Sequence, residues 1–178
     1  MTSTRSETAT AQTLLLEPNA WVPNNPRLPV LIYPKAIAIK GSDPASLFEK
    51  TFKANGWPPQ WRYGVYDFHH YHTEGHEVLG VASGHARLML GGPQGHVLEV
   101  SAGDVVLLPA GIGHCNLGAS DDFLVVGAYP PGQHADICRE APSAEQRASI
   151  DTLPFPERDP VQGKDGAVGR HWGNPPQP

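Results

Sequence analysis

The chain has 178 residues, with 13 basic against 18 acidic side chains, a net charge of −5 and 39% hydrophobic residues. That length suits one domain with a sizeable core or one domain plus tails, and 19 Pro with 19 Gly imply many turns and irregular ends. No basic block is present to hold phosphates, and no apolar run nears the roughly 18 residues of a membrane span, so nucleic acid and membrane insertion are both set aside.

Residues 1–27 read as a flexible or extended lead: Ser/Thr-rich to about residue 13, with three consecutive leucines that fall short of a secretory core. The turn-rich "PNNPRLP" then opens into "VLIYPKAIAI", whose β-branched residues read as one or two strands and as an apolar sheet edge. In "SDPASLFEKTFKANGW", Asp43 is placed to cap a helix and Pro44 to start it. Leu47, Phe48 and Phe52 fall on one face, and Asn55-Gly56 supplies the stop.

From Trp61 the texture changes to short apolar runs cut by glycine: "WRYGVYDFHHYH", "EVLGVAS", "ARLMLG", "HVLEVS", "DVVLLP" and "DFLVVGAYP". Many short strands with Gly-rich turns point to an antiparallel barrel or jelly roll rather than a βα repeat. The expected organisation is a β-barrel domain over 28–139 and a Pro-rich arm over 140–178. That arm carries a short helix near "SAEQRASI" and packs on the barrel or on a neighbouring subunit. Two cysteines, Cys115 and Cys138, are too few for a disulfide framework and read as thiols of a reducing compartment, so the cytoplasm is the expected location.

The stretch "GVYDFHHYHTEGHEVLGVASG" holds four of the nine histidines and two glutamates. It reads either as a metal site or as a polar surface strand. His70 and His72 share one face of a strand, because residues i and i+2 project the same way. Glu77 stands at an odd offset, but a reversal at Gly75 with positive φ would let it head the next strand of a hairpin and face back. His69, Tyr71 and His76 have the wrong parity. Downstream, "GDVVLLPAGIGHCN" delivers His114 from a glycine-flanked bend after Pro109, where strand chemistry asks for no histidine.

Gly64-x5-His70-x-His72-x4-Glu77-x6-Gly84 and Gly103-x5-Pro109-x-Gly111-x2-His114 resemble the two motifs of the cupin superfamily. The strings "HEVLGVASGHA", "GDVVLLPAGIGH" and "DDFLVVGAYPPG" are further similar to the YjlB-type cupin subfamily, over about Leu28 to Trp172. The resemblance implies a mainly β fold, a single double-stranded β-helix (jelly-roll barrel) with a short N-terminal helix. It also implies that His70, His72, Glu77 and His114 bind one divalent transition metal: Fe, Mn, Ni, Co or Zn. One departure is visible: the second motif usually carries Asn four residues after its histidine, where this chain has Gly118, with Asn116 two earlier.

Three imidazoles and one carboxylate leave one or two positions open on a six-coordinate ion, where water, oxygen or a chelating small molecule would bind. A metal-dependent dioxygenase is slightly favoured over an oxygen-independent isomerase or lyase, and an enzyme over a module that only binds a small ligand. His76 could be a hydrogen-bond donor that supports a ligand from behind, or an alternative ligand. His69, His85, His96, His134 and His171 read as surface residues, and Cys115 as a buried thiol. Tyr63, Tyr66 and alternate residues such as Leu79, Val81, Leu88 and Leu90 are expected to line the barrel. Trp57-Pro58 and Trp61-Arg62 fit either a cap on the barrel mouth or a subunit contact. A homodimer through an edge strand is the expected assembly.

Overall fold

The computed structural model describes residues 10–173, so most of the flexible lead expected before residue 13 and the final five residues fall outside it. In chain order the elements are β1 (Gln12–Leu16), β2 (Asn25–Tyr33), α1 (Pro44–Ala54), β3 (Pro59–Tyr63), β4 (Glu77–Ser83), β5 (His85–Leu90), β6 (His96–Ser101), β7 (Val105–Leu108), β8 (His114–Ala119) and β9 (Leu124–Ala128). Helices α2 (Ala144–Thr152) and α3 (Ala167–His171) follow. A six-stranded sheet in the order β1-β2-β7-β4-β9-β3 faces a three-stranded sheet in the order β6-β5-β8. Every pairing is antiparallel, and the two sheets form a jelly-roll barrel.

Side-chain alternation explains the two cores. Leu79, Val81, Val106, Leu108 and Val125 point from the larger sheet into the barrel, where they meet Leu88, Leu90 and Val100 of the smaller one. Their neighbours Val78, Ala82, Leu107 and Val126 point the other way, against Phe48 and Phe52 of α1 and against Phe155, Val168 and Trp172 of the C-terminal arm. The larger sheet is therefore covered on both faces, which is why "EVLGVAS" shows no polar alternation. Strand β5 keeps that alternation, His85 and Arg87 outward and Leu88 and Leu90 inward, because one face of its sheet meets water. Each fully buried Val or Leu contributes about 1.5–3 kcal/mol.

Several expectations are corrected. Strand β2 ends at Tyr33, and the "PKAIAI" that follows is irregular, with Lys35 at φ +48°. Nor is β2 an edge: it lies between β1 and β7, and β1 and β3 form the edges of that sheet. Helix α1 starts at Pro44, but the Asp43 side chain does not cap it. That carboxylate binds Arg62 instead, Nη1 to Oδ1 at 2.9 Å. Tyr63 and Tyr66, expected inside the barrel, are 65% and 43% exposed.

Strand β1 falls within the 1–27 span and pairs with β2 along Gln12–Leu14. The arm carries α2, closed by a capping box between Ser143 and Gln146, and a third helix that the sequence pattern did not announce. Trp172 ties the arm back to the sheet by donating from Nε1 to the Pro29 carbonyl at 2.9 Å. Among the described residues no helix is long and apolar enough to cross a membrane.

Candidate metal centre

After β3 the chain runs irregularly to His70, which forms an isolated antiparallel bridge with His114. His70 N–H donates to the His114 carbonyl at 3.2 Å, and His114 N–H donates back at 2.9 Å. His72 accepts through its carbonyl from the Gly111 N–H at 2.8 Å. The two histidine segments are thus sewn to each other directly.

The hairpin expected at Gly75 does not form. Strand β4 pairs with β7 and β9, with Glu77 opposite Leu108 and Val78 opposite Ala128. Gly75 is not among the positive-φ glycines. It is required for close approach: a Cβ there would sit 2.7 Å from the His134 carbonyl oxygen and 3.0 Å from the Tyr129 ring. Glu77 reaches the histidines by another route, since its partner strand β7 runs straight into the bend that delivers His114.

The ring orientations are set by the backbone. Nδ1 of His70 faces the Phe68 carbonyl at 2.9 Å, Nδ1 of His72 the Asp136 carbonyl at 2.6 Å, and Nδ1 of His114 the Ile112 carbonyl at 2.9 Å. A carbonyl oxygen only accepts, so each Nδ1 carries the hydrogen and each Nε2 is left with its lone pair. One nitrogen from each ring lies within 4.8 Å of the other two, and all three residues are buried. Glu77 is outside this mutual set, yet its carboxylate spans two of the rings, with Oε2 3.4 Å from His72 Nε2 and Oε1 3.4 Å from His114 Nε2. Tyr129 donates its hydroxyl to Glu77 Oε2, and Trp61 Nε1 donates to the Tyr129 hydroxyl oxygen at 2.9 Å.

Charge in this pocket is tightly balanced. Burial, and then the neighbouring His114, push His70 down to about 3, so it stays neutral. Burial would also lower His72, but the Glu77 carboxylate beside it outweighs that and raises it. Burial alone would raise Glu77, yet His72 first and His114 after it, both facing the carboxylate, bring it well below the usual carboxylate range. Tyr129 is raised by burial and by the Glu77 charge, and remains a proton donor.

These groups lie at the polar end of a cavity of about 490 Å³ whose remaining walls include Trp61, Val65, Tyr66, Leu79 and Ile137. Trp61 therefore belongs to the pocket, whereas Trp57 is fully buried in the core between α1 and the arm. His76, expected to support a ligand or to replace one, is instead a structural residue. Its Nδ1 accepts from Ala110 N–H at 2.9 Å, its Nε2 faces the Leu153 carbonyl at 3.1 Å, and its ring packs on Phe155 and Trp172. Burial lowers it to about 4, so it stays a neutral latch between the bend and the arm. His85, His96, His134 and His171 are exposed, and Cys115 is buried.

Tyr129 and Asp136 escaped the sequence reading. Asp136 holds His72 by its carbonyl, while its carboxylate accepts from Thr73 N–H at 2.8 Å, Thr73 Oγ1 at 2.6 Å and Glu74 N–H at 2.9 Å. Nothing in a Pro-rich stretch 64 residues away signals that contact. Asn116, displaced from the usual motif position, accepts through its side chain from Gly118 N–H at 2.9 Å within its own turn, and its N–H donates to the Tyr66 carbonyl at 2.9 Å.

No family model matches the chain. It is 35% identical over 163 residues to the uncharacterised protein YjlB of Bacillus subtilis (strain 168), covering 90% of this chain and 96% of that one. Among solved structures, a DUF861 family protein of Thermotoga maritima aligns over 51% of this chain and 94% of its own, at 21% identity and a TM-score of 0.31. Bacillus subtilis oxalate decarboxylase, with Mn(II) centres, aligns over 83% of this chain and 40% of its own, at 21% identity and a TM-score of 0.32.

Proposed function

The chain belongs to the YjlB-type cupins, and from that premise we propose that it is a small-molecule enzyme built on one divalent transition-metal centre. His70, His72 and His114 would hold the ion through Nε2, with Glu77 as the fourth donor. The fit rests on one observation: three Nδ1–H groups are tied to backbone carbonyls, which leaves three lone pairs converging on one buried point. Fe, Mn, Ni, Co and Zn all suit such donors. When bound, the ion supplies Lewis acidity toward an oxygen-bearing substrate and, for a redox-active metal, a route for electrons to dioxygen.

A dioxygenase-type reaction is the favoured reading, supported by what the cavity wall lacks. Among its described residues there is no lysine and no carboxylate beyond Glu77, so the protein contributes orientation and exclusion of water more than acid–base groups. An oxygen-independent isomerase or lyase is the second reading, supported by the Tyr129–Glu77 pair, which places an O–H and a carboxylate side by side.

Elemental analysis of protein purified without chelators should find close to one metal ion per chain, and His72→Ala should remove it. Oxygen uptake by iron-loaded protein over diols, diketones and thiols then separates the readings. A flat trace throughout, with anaerobic turnover on zinc or manganese, would favour the second; no turnover at all would leave a binding module. A homodimer is proposed through edge strand β1, whose Leu15 is 51% exposed. The two free thiols fit the cytoplasm as its location.

A further inference from the structure

The cavity walls carry information about the ligand that the histidines do not. Arg62 is the only cation on the described wall besides the histidines, and its guanidinium is already committed. Nη1 and Nη2 donate to the Asp43 carboxylate at 2.9 and 3.3 Å, and Nε and Nη2 donate to Glu49 at 3.2 and 2.5 Å. One cation against two anions leaves that rim net negative, so a carboxylate or phosphate on the far end of a ligand meets no partner there.

The rest of the wall is flat and apolar. The Trp61 indole lies directly on the backbone of Gly127, where a Cβ would come within 2.2 Å of the ring. Its orientation is also fixed by the Nε1 bond to Tyr129. Tyr66 stacks on Phe68 with centroids 5.0 Å apart and planes 13° from parallel, and meets the His70 ring edge-on at 5.4 Å. Ile137, 45% exposed, stands at the same wall. An aliphatic polyol would leave its hydroxyls unpaired against these surfaces, whereas a planar ring would match them.

We propose that the pocket takes an uncharged, flat, ring-bearing molecule whose polar head, bearing adjacent oxygens, points to the histidine end. Small dicarboxylates and phosphorylated sugars are excluded by the same walls. The orientation of the head rests on the metal reading above; the ring site does not.

The test uses the full chain in two forms, chelator-treated and nickel-loaded, with nickel content measured first. By isothermal titration calorimetry, 2-naphthol should bind the chelator-treated protein and oxalate should not. The nickel-loaded protein should bind 2,3-dihydroxynaphthalene, which is uncharged at neutral pH, more tightly than oxalate. Tyr66→Ser and Ile137→Ser, both at partly exposed positions that leave the fold intact, should each weaken naphthol and dihydroxynaphthalene by about tenfold without changing nickel content. Naphthol binding in a chain that takes up no nickel would sink the metal reading and support the ring site. Nickel uptake with oxalate preferred, or with both variants indifferent to either ring compound, would overturn the ring site.

Discussion

The Tyr129 hydroxyl donates to the carboxylate of Glu77, 52 residues earlier in the chain, and both side chains are buried. The bond joins the end of β9 to the start of β4. It occupies one carboxylate oxygen, which also faces His72, while the other faces His114. Trp61 completes the chain of donors by serving Tyr129. The orientation of Glu77 is thereby decided by a tyrosine that belongs to neither histidine motif.

Replacing Tyr129 by Phe removes that donor and leaves the indole N–H of Trp61 without its acceptor. The expected cost is about 2 kcal/mol in urea denaturation. Loss of an orienting partner should also weaken metal binding by about tenfold, read in competition with a chromophoric chelator. Unchanged metal affinity in a folded Tyr129→Phe protein would show that Glu77 needs no orienting partner.

Asp159 is fully buried and accepts from four donors: the Tyr33 hydroxyl at 2.5 Å and the N–H groups of Val161, Gln162 and Val168 at 2.8, 2.8 and 3.1 Å. It fixes the last turn of the arm onto β2. Asp159→Ala should lower unfolding free energy by about 3 kcal/mol, because the stranded donors lose their partner. Tyr33→Phe should cost less, about 1 kcal/mol, since the three N–H bonds survive it. Equal losses in the two variants would contradict this division.

Stability should decline on the alkaline side. Burial and the Asp136 carboxylate push the Cys138 thiol up to about 12 from an ordinary 9.0, and burial pushes Tyr71 up to about 12 from 10.0. Both groups hold their proton more tightly folded than unfolded. Their contribution is therefore complete below pH 9 and is lost as pH rises toward 12. Since Tyr71 and Cys138 bridge each other, the arm should loosen there first. Melting temperature followed by circular dichroism from pH 7.5 to 11 should fall, and fall less steeply in Cys138→Ala. An identical slope in the variant would remove the thiol from the account.

Individual elements were readable locally wherever physics is local. Strand β5 alternates because one of its faces is wet, helix α1 begins where Pro44 permits, and α2 begins where Ser143 and Gln146 can close a capping box. The two-residue spacing of His70 and His72 needs only the pleat of extended chain to put both rings on one side. Long-range partners leave no such trace. Asp43 had every local credential of a helix cap, and a cation 19 residues on claimed it. His76 had the composition of a donor, and the arm sealed it away.

By itself, then, the order of residues determined most of the segments that extend, where the helices begin and which two imidazoles share a side, because those depend on neighbours a few bonds away. Tertiary structure alone decided that β7 lies beside β4, and hence that a carboxylate on one meets a ring delivered by the other. It alone decided that a tyrosine at the end of β9 would orient that carboxylate, and that an indole would lie flat on a glycine to wall the cavity. Pairings of that kind are settled by which apolar faces can be covered together, a property of the whole chain rather than of any stretch of it.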